Sequence, residues 1–387
     1  NFLSEINFNN IKNVGIRVDF NVPVNDQLVI TDDTRLIRAK ETINFVKNKN
    51  CKILLISHFG RPQEEFDQKL SFQNLNSQIS KILELDIELI TFEKFKENGL
   101  SSFKQLNHQV SLLDNIRFFK GEKSNDKVFS QSITDHLDLF INEAFSASHR
   151  RHASVNQMIR NITSAPGLNF EKEVRAINEI KNSSQKKLAI IGGSKVSTKI
   201  RTLISLTTAC SDIFIGGAMA NNFLKFKGIP VSNSLLEDGS KEMIKEIYGS
   251  AIKSSCKIHL PIDVVLDNKS KMTIDKLSPS NDFKILDLSD QSLQFLENLI
   301  SKSEIILWNG PMGMIENSDF AKGSTNLANS LAQSSSKVVI GGGDTLLAIN
   351  IAGINFDKYH FVSTAGGAFL EALEDKVLPG IEALNQD

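Results

Sequence analysis

The chain reads as an α/β protein: parallel sheets in two lobes, joined by a hinge helix. Three observations predict this. Strand-like and helix-like periods alternate through both halves of the sequence. The strand-like runs are short and continuously apolar, as in parallel strands covered on both faces. Three of them, in KLAIIGGSK, DIFIGGAMA and KVVIGGGDT, stop abruptly in glycines, the form expected where a buried strand turns into a helix.

Taken in order, Val14, Ile16, Val18 and Phe20 alternate with other residues and predict a first strand. Thr34 to Val46 then places Leu36, Ala39, Ile43 and Val46 on one helical face, with Asp32 or Asp33 as N-cap. KILLIS, Lys52 to Ser57, predicts a buried parallel strand. Pro166-Gly167 breaks the pattern, after which Phe170, Val174 and Ile177 mark one helical face and NSSQKK (Asn182 to Lys187) is a polar linker. The expected organisation is therefore a lobe at 1–167, a hinge helix and linker at 168–186, a second lobe at 187–370 and a tail at 371–387. That tail is broken by Pro379-Gly380 and is free to pack on either lobe.

Length and composition bound the function. A chain of 387 residues can build two cores of ordinary domain size, and 41% hydrophobic with 23% charged residues is a globular balance. A net charge of −1 offers no global attraction for nucleic acid or an anionic membrane, so neither is an expected partner and any basic ligand site must be local. No apolar stretch approaches about 18 residues, which argues against a membrane-spanning helix. The opening NFLSEINFNN lacks both a Met and the basic-then-apolar pattern of a secretory leader. The cysteines, Cys51, Cys210 and Cys256, are odd in number and scattered, which fits a reducing compartment; the expected location is cytoplasmic.

Two styles of anion binding divide the chain. In the first half, arginines sit in short motifs rich in turn residues: RVDFNVP, SHFGRP, LLDNIRF and SHRRH. Guanidinium groups grip phosphate or carboxylate through a planar fork of donors. Singly, Arg35, Arg61, Arg117 and Arg150 each read as surface ion-pair residues, but their repeated association with Asn21, His58, Gly60 or His149 favours a shared site. Asp19, at a strand end, suits either orienting an arginine or accepting a substrate hydroxyl. The pair His149 and His152 has metal-ligand spacing, but no cysteine or third ligand accompanies it.

In the second half, GGSK (Gly192 to Lys195), IGGAM (Ile215 to Met219) and GGGDT (Gly341 to Thr345) fall where helix N-termini point at ligands. Lys195 and Lys199, four apart, are expected on one face of the following helix near its start, where lysine opposes the helix dipole unless an anion lies between them. The alternative is that the glycines only make tight turns and the lysines are solvated. Three such units, with two lysines and an aspartate, favour a nucleotide site, although no Walker A or GxGxxG pattern is present. Asp344 would face bound phosphates through a cation, with Mg²⁺ the natural choice, or else cap the next helix. Glu316, after WNGPMG (Trp308 to Gly313), suits ribose hydroxyls on charge grounds.

With RVDFNVP, SHFGRP, IIGGSKVSTKI, WNGPMGMIE and GGGDT in this order, the chain closely resembles phosphoglycerate kinases, from about Arg17 to Gly380. The resemblance implies two Rossmann-like lobes that close about a hinge. It also implies a cytoplasmic, monomeric glycolytic transferase that moves a phosphoryl group between 1,3-bisphosphoglycerate and ADP. The tail would return to the first lobe. Asp19, Phe20, Asn21, Arg35, His58, Phe59, Gly60, Arg61, Arg117 and Arg150 would bind 3-phosphoglycerate. Gly193, Lys195, Lys199, Gly216, Gly217, Asn309, Pro311, Glu316 and Gly342, Gly343, Asp344 and Thr345 would bind MgADP or MgATP, with Asp344 on the metal. Arg35, Lys195, Gly343 and Gly367 would act on the transferring group. Three departures stand out: Ala365-Gly366-Gly367 where the family has a glycine triplet, DFKILDLSD (Asp282 to Asp290) without the usual Asp-Ile-Gly-Pro, and Asn142-Glu143 for the commoner Asn-Asp.

Overall fold

The computed structural model describes residues 2–63, 65–101, 103–374 and 376–385, so Gln386 and Asp387 of the expected tail lie outside the described residues. The chain divides into two compact units: Asn1–Val174 with Val377–Asp387, and Arg175–Lys376. The division falls inside one helix, Leu168–Asn182.

The first unit is built on a parallel sheet of β1 (Asn13–Arg17), β2 (Lys52–Ile56), β3 (Ile87–Ile90), β4 (Val110–Leu113), β5 (Leu139–Asn142) and β6 (Ser164–Pro166). Their order is β3-β4-β2-β1-β5-β6. Every residue from Val14 to Arg17 in β1 is buried, because helices cover both faces. The first strand is thus shorter than its alternation suggests: pairing stops at Arg17, and Val18 and Phe20 enter the core from the loop beyond. The helix Thr34–Lys47 buries Leu36, Ala39, Ile43 and Val46. Its capping acceptor is Asp32, whose Oδ1 takes the Thr34 N–H at 2.9 Å, while Asp33 makes no cap bond.

The second unit contains β7 (Lys187–Ile191), β8 (Asp212–Ile215), β9 (Lys257–His259), β10 (Asp263–Leu266), β11 (Lys271–Thr273), β12 (Ile285–Leu288), β13 (Ile305–Asn309), β14 (Lys337–Ile340) and β15 (Phe361–Val362). Six of these form a second parallel sheet, β15-β14-β13-β7-β8-β9. The other three make an antiparallel sheet, β11-β10-β12. The small sheet is not apparent in the sequence, because its segments are only three or four residues long and separated along the chain. It has its own core, in which Val264, Leu266, Phe283 and Ile285 pack against Leu224 and Val231.

In each parallel sheet the chain order reverses beside a central strand, between β1 and β5 in one unit and between β7 and β13 in the other. Loops leaving the carboxyl ends at such a point diverge and leave a crevice for ligands. All the arginine and glycine motifs singled out above follow strand ends.

Candidate active site

In the first unit, the loops after β1, β2, β4 and β5 assemble the arginines. Arg35, on the helix after the β1 loop, ion-pairs with Asp19 Oδ2 at 2.7 Å and donates to the Asn21 carbonyl at 3.1 Å. Asp19 also accepts a hydrogen bond from Ser146 Oγ after β5, so it orients an arginine and joins two loops. Asn21 Oδ1 accepts the Gly60 N–H at 2.8 Å, and the Gly60 carbonyl accepts from Arg117 Nη1 at 2.6 Å. Arg150 lies beside His149, with Nε to Nε2 at 3.2 Å. Arg61 is exposed at the rim. Phe20 and Phe59 are core side chains, and their N–H groups are occupied by Ser57 and Asn115.

The electrostatics show an excess of positive charge. His58 is held well below the ordinary imidazole range, first by burial and then by Arg17, Arg117, Arg150 and Arg35. Burial and then Arg150 pull Arg117 down to about 10. His152 is lowered to about 4 by burial and by Arg117 and Arg150. Groups that disfavour each other's protonation in this way favour an anion among them. Sequence reading passed over one member of the set. Arg17 is wholly buried, donates to Ser154 Oγ at 2.7 Å and contacts His58 Nδ1 at 3.0 Å; burial disfavours its charge, which Glu122 and then Asp19 offset. An arginine closing an apolar strand is the signal that marked it.

In the second unit, the glycine turns divide into two kinds. The turns after β7, β8 and β13 are packed against one another. Gly217 has φ +63°, and a Cβ there would lie 2.7 Å from backbone atoms of Gly193 and Pro311. A Cβ on Gly216 would clash with Met312 Sδ. Thr345 Oγ1 accepts the Gly310 N–H at 2.7 Å and donates to the Gly341 carbonyl at 2.9 Å. Asn309 Nδ2 donates to the same carbonyl at 2.6 Å. Thr345 and Asn309 are therefore buried braces between loops. Gly343 and Gly367 are the opposite case. Each is the first residue of a helix, each has ordinary backbone, and a Cβ on either would meet nothing within 4 Å. Nothing among the described residues requires glycine there, whereas a ligand approaching the helix N–H groups would.

The lysines differ from expectation. The helix after β7 begins only at Ile200, so Lys195 lies in the preceding loop and Lys199 is the N-cap. The reason is an anchor at the loop's end. Lys199 Nζ donates to the Gly192 carbonyl at 2.5 Å and to Asn309 Oδ1 at 2.7 Å, which turns the chain before the helix can start. Burial pulls Lys199 down to about 8, with Asp344 opposing the shift. Lys195 is exposed.

Beside these loops lies a cavity of about 360 Å³. Gly193, Gly217, Pro311, Glu316 and Asp344 are among the residues lining it, and Leu224, Leu235, Val264, Leu288 and Met312 make much of that lining apolar. The departing segment contributes Ile285, Leu286, Asp287 and Leu288, so it forms wall here despite its changed sequence. Asp344 is exposed at the second position of the helix Gly343–Ile351 and makes no cap bond. Among the described residues no cluster of three or more His, Cys, Asp or Glu is arranged to hold a metal. A lone carboxylate suits Mg²⁺, which takes its remaining ligands from phosphate oxygens and water.

Comparison with known proteins matches this architecture over its whole length. The family model described as phosphoglycerate kinase matches residues 3–376. A phosphoglycerate kinase of Prochlorococcus marinus (strain MIT 9515) is 38% identical, covering 97% of this chain and 96% of the relative. The solved structure of phosphoglycerate kinase from Coxiella burnetii superposes with a TM-score of 0.90 at 31% identity, over 100% of this chain and 99% of that one. That from Pyrococcus horikoshii OT3 gives 0.81 at 25% identity, over 99% and 98%. With two parallel six-stranded sheets, arginine loops on one and glycine turns on the other, the chain belongs to the phosphoglycerate kinase family of phosphotransferases.

Proposed function

We propose that the protein transfers a phosphoryl group reversibly between 1,3-bisphosphoglycerate and ADP, giving 3-phosphoglycerate and ATP. The observation that carries this reading is the arginine set of the first unit, gathered by the loops after β1, β2, β4 and β5, where burial and then the neighbouring guanidinium charges depress His58 and Arg117, an arrangement that calls for a compact, highly charged anion. In the second unit, the apolar cavity suits a base, Glu316 the ribose, and the open helix starts at Gly343 and Gly367 the phosphates. Asp344 would hold Mg²⁺, which neutralises phosphate charge when bound.

In the ATP-consuming direction the nucleophile is a carboxylate, ionised at pH 7, so no general base is needed. Catalysis is then alignment and charge neutralisation. Arg35, oriented by Asp19, serves the transferring group and acyl oxygen; Lys195 serves the transferring phosphoryl; Lys199 serves nucleotide phosphates. Because the arginines and lysines belong to different units, turnover requires these to approach each other, which also excludes water from a hydrolysable acyl phosphate.

The test is a coupled assay with 3-phosphoglycerate, MgATP and glyceraldehyde-3-phosphate dehydrogenase, following NADH oxidation. Oxidation that needs all the components supports the reaction. Nucleotide binding without oxidation would refute it.

A further inference from the structure

We propose that Glu237 is a positioning residue for phosphoryl transfer: its carboxylate holds the backbone of the loop that carries Lys195. This rests on the role given to Lys195 above.

The loop between β7 and the helix Ile200–Ala209 has no regular structure, and its exposed lysine is long and flexible. Where that ammonium sits depends on how the backbone beneath it is fixed. One end of the loop is tied by Lys199 to Gly192 and Asn309. The middle is tied by Glu237. Its Oε2 accepts the Ser197 N–H at 3.1 Å, and its Oε1 accepts the Ser197 hydroxyl. Donors converging on one ionised carboxylate form the stronger class of hydrogen bond. Burial works against ionisation of Glu237, but the Ser197 bonds, the Val196 N–H dipole close by and the nearby Lys195 charge hold it below the ordinary carboxylate range.

Glu237 is itself mounted rigidly. Its N–H donates to Asn222 Oδ1 at 2.8 Å, and the same oxygen accepts from Ser240 Oγ at 3.2 Å. Asn222 is buried on the helix Met219–Phe226. The neighbouring Asn221 donates from Nδ2 to the Leu235 carbonyl at 3.2 Å. Leu235 also lines the apolar cavity, so the strap that carries Glu237 is part of the cavity wall. Val196, beside the clamp, is wholly buried, so the loop has an apolar anchor next to the polar one. Together these place Lys195 between a fixed Gly193 and a fixed Val196. Without the carboxylate, two donors of the loop lose their partner and the lysine loses its frame.

The experiment is a double-mutant cycle in the coupled assay with 3-phosphoglycerate and MgATP, on Glu237→Ala, Glu237→Gln, Lys195→Ala and Glu237→Ala with Lys195→Ala. Thermal unfolding of each protein checks that it is folded. Glu237→Ala should lower kcat by about 10- to 100-fold with KM for 3-phosphoglycerate little changed, as misplacement of a reacting group does. Glu237→Gln, which keeps one acceptor, should recover part of the loss. On top of Lys195→Ala, Glu237→Ala should cost nothing further in the residual turnover, because the two act as a unit. A folded Glu237→Ala with unchanged kcat, beside an inactive Lys195→Ala, would overturn the inference and leave the role of Lys195 standing. An equal loss from Glu237→Ala in both backgrounds would overturn it too, by showing general loop damage. An active Lys195→Ala would instead overturn the role of the lysine itself.

Discussion

Replacing Gly343 by alanine separates a glycine kept for a ligand from one kept for the fold. Gly343 opens the helix Gly343–Ile351 with ordinary backbone, and a Cβ there meets nothing within 4 Å. The added methyl therefore costs no packing energy, and the lost freedom of the unfolded chain stabilises by about 0.5–1 kcal/mol. For a unit of this size that raises Tm by roughly 1–4 °C. Gly217→Ala is the contrast. Its φ of +63° costs an L-residue about 1–2 kcal/mol. Its Cβ would also lie 2.7 Å from backbone atoms that cannot rotate away. Tm should fall by several degrees. Activity should divide differently: the Gly343 methyl would project into the space where phosphates meet the helix N–H groups. A tenfold or greater loss of kcat/KM for MgATP is expected, about 1.4 kcal/mol or more of lost transition-state binding. Calorimetry without ligand and the coupled assay provide the two readouts. Gly343→Ala with full activity would refute the reasoning, since the open face would then have no use. A lower Tm would refute it from the other side.

Other outcomes follow from the same geometry. Arg35→Ala should lower kcat by far more than it raises KM for the nucleotide, because Arg35 lies in the other unit from the cavity; an unchanged kcat would remove it from catalysis. Burial pushes Asp287 up to about 7 from an ordinary 3.8, so the folded state holds a proton that the unfolded state releases, and stability falls as pH rises from about 4 to 7. Asp287→Asn should remove that part of the slope, of order 4 kcal/mol across the window, in urea unfolding at a series of pH values. Glu143 is also raised to about 7 by burial, so the difference between the two proteins is the quantity to read. The ring resonances of His58 and His152 should not titrate near the ordinary histidine midpoint of about 6.5, and both should shift upward once an anion neutralises the arginines. An NMR titration showing ordinary midpoints without ligand would mean that the arginine field is screened.

The strands, the helix on Leu36, Ala39, Ile43 and Val46, and the helix carrying Phe170 and Ile177 are local periodicities, and local periodicity survives folding. The arginine motifs were visible for a similar reason: each is a short run of residues beside its own strand end. What the sequence alone determined is therefore the alternation of elements, the arginine motifs of one half and the glycine turns of the other and, through the order of five motifs, the family. Tertiary structure decided matters that depend on residues far apart. The antiparallel sheet exists because β10, β11 and β12 find each other in space, and at three or four residues each none is long enough to announce itself. Lys195 left its expected helix because Gly192 and Asn309, the latter more than a hundred residues away in sequence, capture the Lys199 ammonium. Which glycines are packed and which are open could not be read from GGSK, GGAM and GGGD, since all three are strings of glycine after a strand. The difference lies in what stands opposite. Gly217 faces the backbones of Gly193 and Pro311, while Gly343 and Gly367 face space, and the opposite face of a residue is set by the fold and not by its neighbours in the chain.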